Sequence, residues 1–201
     1  MRLVLASNNG KKLAELQTLF APLPLELVTQ GALGIGEAEE PHVTFVENAL
    51  EKARHAAREA KAPAIADDSG LCVDALGGAP GVLSARYATL FGQPRSDADN
   101  NRVLLEQLRP HTDRRGRFVC ALVAVRSADD PEPLIAFGRW DGEVLAAPRG
   151  DSGFGYDPLM WIPSLSASVA ELTAADKNRL SHRAIASLQM LAMMREVWRL
   201  G

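Results

Sequence analysis

The chain has 201 residues, 47% of them hydrophobic and 23% charged, and a formal net charge of −3. That is enough chain for one domain with a full core, in the composition of an ordinary soluble globular protein. No global basic field is present to gather DNA or RNA, so a polyanionic ligand has to be met by local cations. Cys72 and Cys120 lie far apart in apolar runs, which suits reduced, buried thiols rather than a disulfide framework or a zinc site. The apolar run in MRLVLASNNG is too short for a signal peptide, and no stretch approaches the ~20 apolar residues of a membrane helix. A cytoplasmic protein that binds neither nucleic acid nor membrane is expected.

Arg2–Ala6 reads as a first strand, apolar on both faces and therefore central. Ser7-Asn8-Asn9-Gly10 follows as a turn, and Leu13, Leu16, Leu19 and Phe20 have the spacing of an amphipathic helix with Asn9 as its N-cap. Strand, polar loop and helix N-terminus present N–H groups and partial positive charge, the usual seat of a phosphate. Lys11 and Lys12 oppose the dipole in that first turn, which favours the helix only if an anion comes to them; two surface lysines on a solvated turn are the plain alternative. The GxxxxGK[ST] spacing of a Walker loop is absent.

Leu25–Thr29 reads as a second strand, and residues 30–43 as a loop carrying Glu37, Glu39 and Glu40. Thr44-Phe45-Val46-Glu47 is a capping box opening a helix to about Lys61. On that helix Asn48, Lys52 and His55 share one face, either a solvated stripe or a face lending Lys52 to a phosphate. Ala64–Ala66 then delivers adjacent carboxylates, Asp67 and Asp68, and Ser69-Gly70 is expected to end the run. Side chains alternate across a strand, so the two aspartates leave on opposite faces. Held close, they need a cation, or one must stay protonated. An isolated DDSG is better read as a strand ending in a polar turn; the rest of the chain is what favours the functional reading.

Gly77-Gly78-Ala79-Pro80-Gly81 demands a tight turn, and Ser96 caps a helix to about Leu108. Phe118–Val125 and Leu134–Trp140 are β runs read as an antiparallel pair beside the parallel strands, giving a mixed sheet. In Gly150–Pro158 three glycines surround Phe154 and Tyr156, so that backbone can approach a flat ligand while an aromatic ring stacks on it. Thr173-x-x-Asp176 is a helix start. Ser181–Leu200 reads as the last helix, with Ile185, Leu188, Leu191, Ala192 and Trp198 on its buried side and His182-Arg183 in its opening turn. No repeat or linker divides the chain, so residues 1–201 are taken as one domain.

Several segments fall into one order: A-S-x-N-x-x-K-x-x-E (Ala6 to Glu15), E-x-x-x-T-F-x-E-N-A (Glu40 to Ala49), A-D-D-S-G-L with G-G-A-P-G, G-F-G-Y-D-P, and L-T-x-x-x-K-x-x-x-S-H-R (Leu172 to Arg183). This order closely resembles the inosine triphosphate pyrophosphatase family, enzymes that hydrolyse deaminated purine nucleoside triphosphates to the monophosphate and pyrophosphate. The resemblance implies an α/β fold: a central mixed, twisted β-sheet flanked by helices, in two lobes with the active-site cleft between them. It also implies a homodimer and Mg²⁺ as cofactor. Ser7, Asn9 and Lys12 match the triphosphate loop, which Asn8, Gly10 and Lys11 complete, and Lys52 matches a phosphate-contacting lysine. Glu40 and Asp68 match magnesium ligands with Asp67 close by, and Asp68 matches the general base. Ser69, Phe154, Gly155, Tyr156, Asp157, Lys177, His182 and Arg183 match substrate contacts, mostly around the purine. Arg183 or a backbone N–H is the candidate donor to a 6-keto group. The chain departs from the pattern with Ser7 where threonine is frequent, and with Lys11 where a small residue is common.

Two other readings compete. A septum-inhibitor type pyrophosphatase would share the fold but take pyrimidine or modified-base substrates; the G-F-G-Y-D and S-H-R segments argue against it. A non-catalytic nucleotide sensor would keep the phosphate loop but need no metal carboxylates.

Overall fold

The computed structural model describes residues 1–200. Strand β1 (Arg2–Leu5) is flanked by β2 (Glu26–Thr29) and β3 (Ala64–Val73), and it pairs in parallel with both. With β4 (Arg115–Val125), β5 (Leu134–Val144), β6 (Met160–Ile162) and β7 (Ala167–Ser168) they make a seven-stranded sheet in the order β2-β1-β3-β4-β5-β6-β7. β6 is antiparallel to both β5 and β7, so the sheet is mixed, as the sequence leads one to expect. The helices are α1 (Gly10–Phe20), α2 (Phe45–Ala60), α3 (Asp97–Leu108), α4 (Ala174–Leu180) and α5 (His182–Glu196).

The chain divides into two compact units. The first consists of Met1–Asp68, Cys120–Gly138 and the chain from Ser181. Its core joins Leu3 and Leu5 of β1, Leu16 and Phe20 of α1, Ile65 of β3, Leu122 and Ala124 of β4, and Met190 and Met194 of α5. The second comprises Ser69–Val119 and Arg139–Leu180, with a core of Leu71, Leu104, Leu108, Phe118, Trp140, Tyr156 and Leu159 among others.

Local chemistry sets the helix starts. The Asn9 side chain accepts from the Lys11 and Lys12 N–H groups at 3.0 and 3.2 Å, satisfying donors that the first turn of α1 cannot. Thr44 Oγ1 accepts from Glu47 N at 3.3 Å, but Glu47 returns to the Thr44 hydroxyl (2.5 Å), which gives the capping box its own variant at α2. Ser96 and Ser181 cap α3 and α5.

Two expectations are corrected. Ser69-Gly70 does not end the strand: β3 continues to Val73, because Leu71-Cys72-Val73 resumes an apolar run that the second unit buries. The buried side of α5 is also partly turned from the one expected: Leu191 is buried and Ile185 and Trp198 are partly so, but Leu188 is 62% exposed and Ala192 is exposed, while Arg183, Ala186, Ser187, Met190 and Met194 are buried. Its cause is a close approach. A Cβ at Gly138 of β5 would fall on the His182 carbonyl oxygen and stand 2.8 Å from Ala186 N, so α5 lies against β5 through its small residues.

Candidate active site

In the first unit the parallel register Val4↔Ala64 and Leu5↔Ile65 carries the ends of both runs to the same place. The Ser7–Gly10 loop therefore leaves β1 beside Asp67 and Asp68. Ligands of open α/β sheets bind at this carboxyl end of the strands. Ser7 Oγ accepts from Asn9 N at 3.1 Å, shaping the loop. Asn8 is packed so tightly over Gly31 that a side chain there would strike its amide.

The adjacent aspartates leave β3 on opposite faces. Asp67 follows Ile65 onto the α1/α5 side, where Lys12 Nζ stands 2.6 Å from Oδ1 and Arg183 Nε 2.6 Å from Oδ2. The Cys120 thiol adds a contact to Oδ2 at 3.5 Å. Arg183, 1% exposed, also gives Nη1 to Glu15 of α1. Burial opposes ionisation of Asp67, but Arg183 and then Lys12 outweigh it, and the carboxyl is held well below the ordinary aspartate value. Arg183 is pushed up despite burial by Asp67, Cys120 and Glu15.

Asp68 turns to α2. Lys52 Nζ bonds to Asp68 Oδ1 (2.6 Å), Glu40 Oε1 (2.8 Å) and the Asp67 carbonyl (3.1 Å), which commits all three ammonium protons. Asp68 Oδ2 is buried and, among the described residues, has no hydrogen-bond partner. Burial and the charge of Glu40 push Asp68 above its ordinary value against the pull of Lys52. Lys52 stays charged: burial lowers it, but Asp68 and Glu40 raise it further.

A second group lies in the second unit. Lys177, 7% exposed, bonds to Asp157 Oδ2 at 2.7 Å and stands 4.4 Å from the centre of the Phe154 ring. Asp157 Oδ2 also accepts from Phe154 N at 2.9 Å. Tyr156 is a core side chain whose hydroxyl donates to Ser84 O at 2.9 Å, and burial raises its phenol. Gly155 is gripped on both backbone groups: N–H to Asp97 Oδ2 (2.8 Å) and C=O from Asn101 Nδ2 (3.0 Å). Ser69 is half-buried on β3 in this unit, and His182 is buried at the start of α5 in the first.

The structure therefore joins Lys12, Asp67 and Arg183 in one cluster and Lys52, Glu40 and Asp68 in a second, bridged through the Asp67 carbonyl. The sequence reading missed Glu15, Cys120, Asp97 and Asn101. Glu15 lies within the matched A-S-x-N-x-x-K-x-x-E segment, a signal that could have found it; the other three carry none.

Two hard carboxylates converging on one cation, with a buried carboxylate oxygen left over, suit a divalent ion that wants oxygen ligands and completes its shell with water and phosphate. Among the described residues no group of three or more His, Cys, Asp or Glu side chains could hold a metal by itself, so any ion here depends on such outside ligands. No helix among them is long and apolar enough to cross a membrane.

A parallel β1–β3 pair ending on a helix N-terminus, with lysines engaging an aspartate pair, defines an α/β protein whose strand ends offer the arrangement that suits a phosphorylated ligand. The chain belongs to the Ham1 family, whose model matches residues 3–193. It is 66% identical to a dITP/XTP pyrophosphatase of Methylibium petroleiphilum, over 98% of this chain and 99% of the relative. It is 64% identical to one of Leptothrix cholodnii, over the full length of both. Among solved structures, a HAM1 protein from Coxiella burnetii superposes with TM-score 0.90 at 43% identity, covering 98% of this chain and 99% of that one. The resemblance read from the sequence motifs is thereby borne out.

Proposed function

We propose that the chain hydrolyses the deaminated purine nucleoside triphosphates ITP, dITP and XTP to the monophosphate and pyrophosphate, with Mg²⁺ as cofactor. The relatives' names support this reading, and the observation that carries it is the Lys52 ammonium between Glu40 and Asp68, with Asp68 Oδ2 left without a partner among the described residues. Glu40 and Asp68 are the residues that would hold the magnesium ion, which when bound would offset charge on the phosphate oxygens. Asp67 is better suited to holding Lys12 than to ligating metal, since each of its oxygens already accepts from a cation.

The triphosphate takes the α1 N-terminus and its loop, Ser7, Asn8, Asn9, Gly10, Lys11 and Lys12. Lys52 reaches it by exchanging one protein acceptor for a phosphate oxygen. Asp68, raised by burial, accepts the proton of a water whose oxygen attacks the α-phosphorus. The bond from that phosphorus to the bridging oxygen breaks, and pyrophosphate leaves. Purine recognition falls to Phe154, Lys177 and the loop around them. A backbone N–H is the better reader of the 6-keto oxygen, because Arg183 already gives Nε and Nη1 to Asp67 and Glu15.

The test is pyrophosphate release from ITP, dITP, XTP, ATP and GTP with and without Mg²⁺. Magnesium-dependent release, far faster with the first three, is expected; equal rates on all five, or tight ITP binding with no release, would overturn the reading. In ¹⁸O-labelled water the label should appear in the monophosphate.

A further inference from the structure

Three side chains on one face of α2 grip the segment that carries Glu40. Asn48 Oδ1 accepts from His42 N at 3.0 Å, and its Nδ2 donates to His42 O at 3.1 Å. One turn on, Lys52 bonds to Glu40, and His55 Nε2 then meets Gly36 O at 3.1 Å. The helix runs forward from 48 to 55 while the gripped points run back from 42 to 36, so the segment lies antiparallel along the helix. Residues 35–42 have no helix or strand of their own. Their conformation therefore depends on what pins them.

The pins differ in kind. An ammonium is a point charge that sets distance but little orientation. The Asn48 amide meets both backbone groups of one residue, which fixes the main chain in direction as well as position. Asn48 is 0% exposed, a costly place for an amide unless both its ends are satisfied, as they are here. Neither it nor His55 has any role in the chemistry above.

We propose that Asn48 and His55 are positioning residues that set the Glu40 carboxylate for the divalent cation it shares with Asp68. The proposal rests on the reading of Glu40 and Asp68 as metal ligands. Residues that orient a metal ligand, without touching the metal, change its affinity by about 10–100-fold.

The experiment titrates Mn²⁺ alone into the nucleotide-free protein, read by water proton relaxation, with thermal unfolding followed in parallel. Asn48→Asp keeps the acceptor for His42 N–H and sets an oxygen against the His42 carbonyl. It should unfold cooperatively yet raise the Kd for Mn²⁺ by about 10-fold or more. His55→Ala should give a smaller rise, and Glu40→Gln a rise at least as large as that of Asn48→Asp. If Glu40→Gln weakens Mn²⁺ binding while Asn48→Asp and His55→Ala bind as wild type, the positioning role is overturned and the metal reading stands. If Glu40→Gln itself binds as wild type, the metal reading falls and the positioning role falls with it. Should Asn48→Asp not fold, His55→Ala decides: an unchanged Kd overturns the proposal.

Discussion

Arg183 Nε donates to Asp67 Oδ2 across 2.6 Å, joining residues 116 positions apart inside the first unit. Arg183 also reaches Glu15, and Asp67 also holds Lys12, so the Arg183–Asp67 pair ties α5 and β3 to both ends of one turn of α1. The two neighbouring aspartates consequently do different work. Asp67 is neutralised by two cations and holds structure together, whereas Asp68 shares one cation with Glu40 and keeps an oxygen that has no partner among the described residues.

Substitution should separate them. Asp67→Asn leaves Arg183 buried with Glu15 as its remaining carboxylate partner, and breaking a buried pair from one side costs about 3–5 kcal/mol. Asp68→Asn can keep an oxygen towards Lys52, replaces the carboxylate oxygen that lacked a donor with an amide, and leaves Lys52 paired with Glu40, so it strands no buried charge and should cost clearly less. Its turnover should nevertheless fall by at least ~10²-fold, the low end for losing a positioned acid–base group. Urea unfolding and ITP turnover on both variants check this; the opposite ranking in stability would reverse the roles.

The pH dependence of stability should carry the same division, measured on metal-free protein in chelator. Asp67 is held below 3.8, because Arg183 and Lys12 outweigh the burial that opposes its ionisation. Its contribution is fully present above pH 3.8 and is lost as pH falls below that value through its native pKa, where the unfolded chain takes up the proton first. Asp68 runs the other way: burial and Glu40 raise it, so its share of stability declines as pH climbs from 3.8 through its native pKa. Asp67→Asn should flatten the acid limb of the stability curve, and Asp68→Asn should remove the loss above 3.8.

Much of this was legible in the sequence because it is local. Asn9, Thr44, Ser96 and Thr173 announce helix starts through contacts two or three residues away, and β1, β2 and α3 follow from apolar spacing. Alternation along β3 foretold that Asp67 and Asp68 would face opposite ways. What spacing does not encode is long-range partnership. Arg183 looks like surface charge until Asp67 is brought beside it, and on α5 the expectation holds for Leu191 but fails for Leu188, because apolar count favours Leu188 over Arg183. The close approach of α5 at His182 and Ala186 is allowed by Gly138, which lies on a distant strand. Asp97 and Asn101 give no sign in the sequence that both hold Gly155.

Gly138→Ala tests that close approach. The new methyl would sit on the His182 carbonyl and within contact of Ala186 N, both backbone atoms that cannot swing aside. Displacing α5 also strains the Arg183–Asp67 bond. A loss of about 3 kcal/mol, the upper end for overpacking, is expected, with ITP turnover falling as well. A variant as stable as wild type would mean that α5 shifts without cost.

Asp97 and Asn101 lie one turn apart on α3, and together they meet the N–H and C=O of Gly155 at 2.8 and 3.0 Å. Gly155 separates Phe154, whose ring lies beside Lys177, from Tyr156, which is anchored on Ser84. The clamp thus fixes the backbone next to Phe154. Removing one neutral hydrogen bond is worth about 1 kcal/mol, or about 5-fold in kcat/KM if the loop's setting matters to the transition state. Asn101→Ala should therefore lower kcat/KM for ITP about 5-fold and narrow the ITP-to-ATP ratio, while the affinity of the nucleotide-free protein for Mn²⁺ stays at the wild-type value. Kinetics on both nucleotides with a parallel Mn²⁺ titration separate the outcomes. An unchanged ITP-to-ATP ratio would show that α3 does not set the recognition loop, and a weakened Mn²⁺ affinity would show a disturbance spread well beyond it.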